Sequence, residues 1–141
     1  FLLICDHASN AIPEDYAQLG LQEHELERHV AWDIGAAEVT RHLADILGCQ
    51  AILSGFSRLL IDPNRGLDDP TLIMKLSDGR SIIPGNLDVD RHNNMSAWQE
   101  RVDKFYMPYH LAIASTLENL INDGQVPIIF LYIHLLQILE G

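Results

Sequence analysis

Basic residues are scarce in this sequence. Nine Lys and Arg stand against twenty Asp and Glu, so the net charge is −11 at pH 7. Nucleic-acid backbones and anionic membranes attract basic surfaces, and we therefore expect neither as a partner. The charge does not argue against a small anion held in a local pocket, and it leaves the oligomeric state open.

Cysteines and long apolar runs are also few. Cys5 and Cys49 lie in strand-like apolar runs without a CxxC motif, which favours reduced, buried thiols in a cytoplasmic protein. The longest apolar run, 126–139, is interrupted by polar residues and is too short for a membrane span. The 141 residues and 48% hydrophobic content predict one globular domain, 1–141, and its ends look like cuts through a larger domain.

Two of the few arginines lie in the stretch 55–70, G-F-S-R-L-L-I-D-P-N-R-G-L-D-D-P. The run 59–61 predicts a buried strand, with Asp62, Asn64 and Arg65 at its end, where open α/β sheets bind ligands. Arg65 and Arg58 then form either a bidentate binding site for a carboxylate or phosphate, or ion pairs that stabilise a loop. The aspartates available for such ion pairs are Asp62, Asp68 and Asp69.

Apolar residues recur with a helical period over 14–48, which predicts one long helix. His29 and Asp33 are four residues apart, so this helix would present them on one face. The spacing suits metal ligation or the support of a metal ligand, and equally an ordinary hydrogen bond on the helix surface.

A second helix is predicted over 96–122, with a kink or break at Pro108. Tyr106 and His110 are four residues apart on a stripe beside its core face. We take both as candidates for substrate binding, with a place in the core or at its rim as the alternative. The segment 67–94 is predicted to be a long functional loop or flap.

Histidines follow two of the other predicted strands. The strands are 1–5, 49–54 and 127–133; His7 follows the first, and His134 ends the last. Two such histidines in one sheet are candidates for two of the ligands of a zinc site, since catalytic zinc takes three protein ligands and leaves a position for water. Alternatively, His7 is a loop histidine that is bonded to a neighbour, Asp6 or Ser9.

Six ordered segments of the chain resemble the N-formylglutamate amidohydrolase family. They are D-H-A-S-N-A-I-P (6–13), H-V-A-W-D-I-G-A (29–36), S-R-L-L-I-D-P-N-R (57–65), L-D-D-P-T-L-I (67–73), S-D-G with I-P-G-N (77–79 and 83–86) and Y-M-P-Y-H (106–110). The resemblance implies an α/β fold like that of zinc carboxypeptidases (phosphorylase/hydrolase-like), with a mixed, largely parallel sheet flanked by helices. It also implies zinc-dependent hydrolysis of N-formyl-L-glutamate to formate and glutamate.

The resemblance assigns roles to individual residues. His7 and His134 match the metal-binding histidines, Asn64 and Arg65 match a pair that grips a substrate carboxylate, and Arg58 is a second clamp. Related peptidases place a glutamate ligand three residues after the first histidine. Asn10 occupies that position here, and a neutral amide is a poor zinc ligand, so Asp33 is the preferred third ligand or the support of one.

The end of the chain departs from the family pattern. The family has I-H-S-F-T-P after the last strand, whereas only the histidine, His134, is kept here. The resemblance places the general base in a segment beyond Gly141. Two other functions stay open: a deacylase or carboxypeptidase for another N-acyl amino acid, and a carboxylate-binding module that has lost its metal.

Overall fold

The computed structural model describes residues 1–131. The helices are α1 (Glu23–Leu26), α2 (Ala36–Leu47), α3 (Met95–Arg101) and α4 (Met107–Asn122). The strands are β1 (Leu2–Cys5), β2 (Gln50–Leu53), β3 (Leu76–Ser77), β4 (Ser81–Ile82) and β5 (Ile129–Leu131). Within these residues, no helix is long and apolar enough to cross a membrane.

Three of the strands form a parallel sheet in the order β2-β1-β5. All four residues of the central strand β1 are buried, which agrees with its unbroken apolar sequence. The predicted strands 1–5 and 49–54 are confirmed, and the described part of 127–133 contains β5. Asp6 and His7 follow β1 at the edge of the sheet where all three strands end.

The predicted strand 59–61 is wrong. Leu59, Leu60 and Ile61 are completely buried, but they lie outside the sheet: Leu59 and Leu60 form a turn, and Ile61 has no regular structure. The amide of Leu59 donates to the hydroxyl of Ser57, and the amide of Leu60 donates to the carbonyl of Ser57. An apolar run indicates that residues are buried, but it does not show whether they pair in a sheet. The pattern alone therefore could not distinguish a buried strand from a buried turn.

The predicted helix over 14–48 is also wrong, because the backbone reverses its handedness inside it. Ala17, Gln18 and Leu19 all have positive φ, and Gly35, with φ of 83°, precedes α2. The residues between α1 and α2 form turns, so His29 and Asp33 do not share a helix face. His29 instead lies 3.8 Å from the carboxylate of Asp78, in the turn between β3 and β4.

The helix predicted over 96–122 is confirmed, with a local change of winding. A π-helical segment, Val102–Tyr106, joins α3 to α4 directly before Pro108. In this segment the amide of Met107 donates to the carbonyl of Val102, five residues earlier. Since Pro108 has no amide hydrogen to continue the regular pattern, the wider turn takes the place of the predicted kink or break.

Both cysteines are free thiols, as expected from the sequence. Cys5 is buried in β1, whereas Cys49 precedes β2 and is only half buried. The long segment 67–94, predicted to be a functional loop or flap, contains short regular elements. It contains the antiparallel hairpin of β3 and β4, and a 3-10 turn at Pro84–Asn86.

Gly85 lies in the turn Pro84–Asn86, directly against the backbone of Leu19. A Cβ atom at position 85 would lie 2.7 Å from the Cα of Leu19 and 3.0 Å from its carbonyl oxygen. These are backbone atoms, which cannot rotate away, so the glycine permits a close approach of two chain segments.

We predict that Gly85→Ala lowers the free energy of unfolding by ~1–3 kcal/mol, the usual range for overpacking. Gly55→Ala is the matched control, because a Cβ at position 55 meets no atom within 4 Å. Urea denaturation of both variants measures the difference. Equal stability of the two variants would contradict the close approach.

Candidate active site

Asp62 is the buried centre of a group of polar side chains. Its exposed fraction is only 1%. One carboxylate oxygen accepts hydrogen bonds from His7 Nε2 at 2.7 Å and from the amide of Asn64 at 2.9 Å. The other accepts from Arg58 Nη2 and Arg65 Nε, both at 3.1 Å. One carboxylate therefore joins the histidine after β1 to both arginines of the stretch 55–70.

The backbone around Asp62 holds this carboxylate in place. Its amide donates to the carbonyl of Leu72 at 2.9 Å, and its carbonyl accepts from the amide of Arg65 at 3.2 Å. The preceding residue, Ile61, is completely buried. The bonds to Leu72 and Arg65 and the buried Ile61 thus hold Asp62 in place, although it does not end a strand.

His7 lies between two carboxylates, those of Asp62 and Asp33. Its Nδ1 atom is 3.3 Å from Asp33 Oδ2, and the amide of Asp33 donates to the carbonyl of His7 at 2.9 Å. Asp33 reaches His7 from the turn before α2, and it is 4% exposed. The ring of His7 bonds to these two carboxylates and not to its sequence neighbours: the carboxylate of Asp6 accepts from the Tyr109 hydroxyl, and the hydroxyl of Ser9 accepts from the backbone amide of Ala11.

The opposite charges of His7 and Asp62 stabilise each other. Burial alone lowers the pKa of His7, but the hydrogen bonds to Asp33 and Asp62 outweigh it and raise the pKa from 6.5 to about 9. Burial alone raises the pKa of Asp62, but the hydrogen bond and charge of His7, with the charge of Arg58, lower it to about 2. Without a metal, His7 is therefore a cation at neutral pH.

The positions of His7 and Asp33 fit two ligands of a tetrahedral metal ion. Bonds of ~2.0–2.1 Å at tetrahedral angles separate neighbouring ligand atoms by ~3.3 Å, and His7 Nδ1 and Asp33 Oδ2 are 3.3 Å apart. A hydrogen on Nε2, donated to Asp62, leaves the Nδ1 lone pair for the metal. Asn10 is held elsewhere, since its amide nitrogen donates to the carbonyl of Leu26.

Within residues 1–131, no set of three His, Cys, Asp or Glu side chains is arranged to hold a metal ion. His7 and Asp33 are the two candidate ligands that the described residues bring together. The other histidine expected from the sequence, His134, lies outside the described residues.

Arg58 and Arg65 are paired and still partly open to solvent. The side chain of Arg58 is 21% exposed and that of Arg65 is 29% exposed. Arg58 Nη1 lies 3.9 Å from Asp33, and Arg65 Nη1 donates to the hydroxyl of Thr71. Ion pairing, the bracing alternative drawn from the sequence, is thus present. Because a guanidinium has five N–H groups, donors remain for an anion on the exposed side.

The other substrate-binding candidates contact the chain beside Asp62. The Tyr106 hydroxyl donates to the carbonyl of Arg65 at 2.8 Å, and His110 Nε2 lies 2.9 Å from the carbonyl of Pro63. The two rings are in contact, with centroids 4.3 Å apart and their planes tilted by 46°. Asn64 is exposed and contributes its backbone amide to Asp62. Tyr106 and His110 therefore contact the backbone that carries Arg65.

The sequence model of the N-formylglutamate amidohydrolase family matches residues 1–134. The chain belongs to this family. The family resemblance expected from the six ordered segments is thereby confirmed, and the match covers both sides of the site, from His7 to His110. No curated protein gives a significant match.

A solved structure gives independent support for the fold of this N-formylglutamate amidohydrolase family member. The gene product Atu2144 from Agrobacterium tumefaciens is 32% identical to the chain, with a TM-score of 0.86. The similarity covers 92% of this chain and 50% of that protein. The chain thus spans about half the length of the solved protein it matches.

From the sequence, Asp62 was expected at the end of the predicted strand and as an ion-pair partner of the arginines, but it was not assigned a role in the site. The available signal was its position in the motif D-P-N-R, two residues before the matched Asn64 and Arg65. Its bond to His7 joins residues 55 positions apart, and no local pattern records such a contact.

The raised pKa of His7 predicts a pH-dependent stability in the metal-free protein. A raised pKa means that the folded state holds the proton more tightly, so the stabilisation is complete below pH 6.5 and is lost as the pH rises to about 9. We predict that the free energy of unfolding falls by up to ~3 kcal/mol across this window.

Urea denaturation at fixed pH in the presence of a chelator measures this effect. His7→Asn should remove the slope between pH 6.5 and pH 9. His42→Ala, which changes an exposed histidine of α2, should keep it. Equal slopes in His7→Asn and in the unchanged protein would show that His7 does not carry the effect.

Proposed function

We propose that the protein is a metal-dependent amidohydrolase that converts N-formyl-L-glutamate into formate and glutamate. The observation that carries this proposal is the buried carboxylate of Asp62, which contacts a candidate metal ligand, His7, and two candidate carboxylate-binding residues, Arg58 and Arg65. The two halves of a site for cleaving an acidic amide are thereby adjacent. Membership of the N-formylglutamate amidohydrolase family supports the same activity.

The arginines and Asn64 bind the acid part of the substrate in this proposal. N-formylglutamate carries two carboxylates, and the exposed N–H groups of Arg58 and Arg65 suit such anions. Since Asp62 fixes both guanidinium groups, little side-chain entropy is lost when a carboxylate binds them. Binding at the acid end also orients the formyl amide, which raises the rate of its cleavage.

His7 and Asp33 hold the metal in this proposal, and His134 is assigned as a further ligand on the family resemblance. The chemistry that a divalent ion such as zinc supplies when bound is activation of water and polarisation of the amide carbonyl. In the hydrolysis, a water oxygen forms a bond to the formyl carbon and the carbon–nitrogen bond breaks. A proton passes to the leaving amine, which gives formate and glutamate.

The proposal extends to the fold and the compartment. We assign the parallel sheet with its flanking helices to the zinc-carboxypeptidase-like architecture, which also places ligands at the end of a sheet. The two free thiols support a reducing, cytoplasmic environment. The partner proposed is a small carboxylate, and the acidity of the chain disfavours nucleic acid.

Metal analysis of the purified protein tests the first half of the site. We predict about one zinc ion per chain, with loss of that ion in His7→Ala and its retention in His42→Ala. Because His7 must lose its proton to bind a metal, zinc affinity should rise as the pH approaches about 9. Formate release from N-formylglutamate should follow the metal content.

Two results would contradict this assignment. Metal bound equally by the His7→Ala variant would exclude His7 as a ligand. A wild-type protein without bound metal up to pH 9, but with measurable affinity for glutamate, would instead indicate the carboxylate-binding module considered above.

Arg65→Ala tests the second half of the site. We predict a large rise in KM for N-formylglutamate, corresponding to ~2–5 kcal/mol, because a charge-assisted contact with the substrate is lost. Steady-state measurement of formate release gives the value. Arg41→Ala is the control, since Arg41 is an exposed residue of α2, and its KM should not change. An unchanged KM in Arg65→Ala would remove Arg65 from the substrate site.

A further inference from the structure

The buried turns at Leu59 and Leu60 need hydrogen-bond partners for their carbonyl groups. Both residues are completely buried and lie outside the sheet, so no neighbouring strand supplies these partners. A buried backbone group without a partner destabilises the folded state, because it has lost its hydrogen bonds to water. In this protein the partners come from two side chains that are distant in sequence, Asn86 and Arg101.

Asn86 is completely buried, and its side chain joins three segments. Its amide nitrogen donates to the carbonyls of Leu59 at 2.8 Å and Met74 at 2.7 Å. Its carbonyl oxygen accepts from Arg101 Nη1 at 2.6 Å. The side chain therefore uses both its donor and its acceptor groups.

Arg101 is 3% exposed, and its guanidinium donates to neutral acceptors. Nη1 donates to the carbonyl of Leu60 at 2.9 Å as well as to Asn86, and Nη2 donates to the carbonyl of Gly85 at 3.0 Å. Among residues 1–131, no carboxylate lies within ion-pair distance of it.

Burying a guanidinium without a carboxylate partner is energetically unfavourable. Well-packed apolar residues often replace buried charged groups without loss of stability. What Arg101 supplies, and an apolar residue does not, is a rigid fork of donors that reaches the backbone of Leu60 and Gly85 at once.

We propose that Asn86 and Arg101 are positioning residues for the candidate active site. They fix the carbonyls of Leu59 and Leu60, and through these the backbone of Asp62, whose carboxylate orients His7, Arg58 and Arg65. The link to substrate binding rests on the proposed function, whereas the link to the backbone does not.

The connection from Leu60 to Asp62 is short and stiff. The two residues are separated by Ile61 alone, so the chain between their Cα atoms spans at most ~7 Å. Ile61 is completely buried, and the amide of Asp62 is bonded to Leu72. A shift at Leu60 is therefore passed on to Asp62, and a misplacement of ~1 Å in a site can cost ~100-fold in rate.

The experiment compares Arg101→Met and Asn86→Asp with a control, Val102→Ala. Arg101→Met removes all donors to Leu60 and Gly85. Asn86→Asp keeps an acceptor for Arg101 but removes the donors to the two carbonyls that Asn86 holds. Val102 is buried in the core beside Arg101, and its truncation lowers stability without touching either carbonyl.

Hydrogen exchange of the backbone amides is the first measurement, because it does not depend on activity. The amide of Asp62 is bonded to the carbonyl of Leu72, and the amides of Asn64 and Arg65 are bonded to Asp62 itself. We expect their exchange to accelerate by ~10-fold or more, beyond the change in global stability, in Arg101→Met and Asn86→Asp. In Val102→Ala these amides should change only as much as the rest of the core.

Kinetics with N-formylglutamate is the second measurement. Arg101→Met and Asn86→Asp should raise KM by ~10-fold or more, since Arg58 and Arg65 lose their fixed placement. Arg101→Lys, which keeps the charge and one donor group, should recover part of the loss. Val102→Ala should leave KM unchanged.

Exchange rates that change uniformly in all variants, with an unchanged KM, would overturn the positioning role and leave a purely structural one. If Arg101→Met does not fold, Asn86→Asp decides between the two results. A wild-type protein that does not hydrolyse N-formylglutamate would refute the proposed function. The exchange comparison would still test whether Asn86 and Arg101 hold the Asp62 segment.

Discussion

Asp62 accepts hydrogen bonds from a histidine, two arginines and a backbone amide while it is almost completely buried. A buried carboxylate is tolerated only when charges and hydrogen bonds compensate its lost hydration. The acidic chain has only nine basic Lys and Arg residues, and two of them meet at this carboxylate. The arrangement of His7, Arg58 and Arg65 therefore depends on the presence of Asp62 between them.

The same carboxylate explains how one small site can serve two tasks. On one side it holds the Nε2 hydrogen of His7, which leaves Nδ1 facing Asp33 at a separation that suits a metal ion. On the other side it fixes the guanidinium groups of Arg58 and Arg65, which stay partly exposed. In the proposed function, this arrangement holds the scissile bond and the acid end of a short substrate next to each other.

The sequence predicted the parts of the fold that local apolar runs determine, and it failed where long-range contacts decide. The strands around β1 and the place of His7 after it followed from such runs. The burial of Leu60 was expected, but not its turn conformation, because the partner Arg101 lies 41 residues away. Asp33 was expected on a helix, whereas left-handed residues and Gly35 place it in a turn that reaches His7.

The most direct test of this account is the pKa of His7, measured by NMR titration of the metal-free protein with and without the substitution Asp62→Asn. The substitution keeps the shape of the side chain and removes its charge. We expect a pKa of about 9 for His7 in the unchanged protein and a clearly lower pKa in the folded variant, since burial then acts with less compensation. An equally raised pKa in Asp62→Asn would contradict the central role of the Asp62 carboxylate.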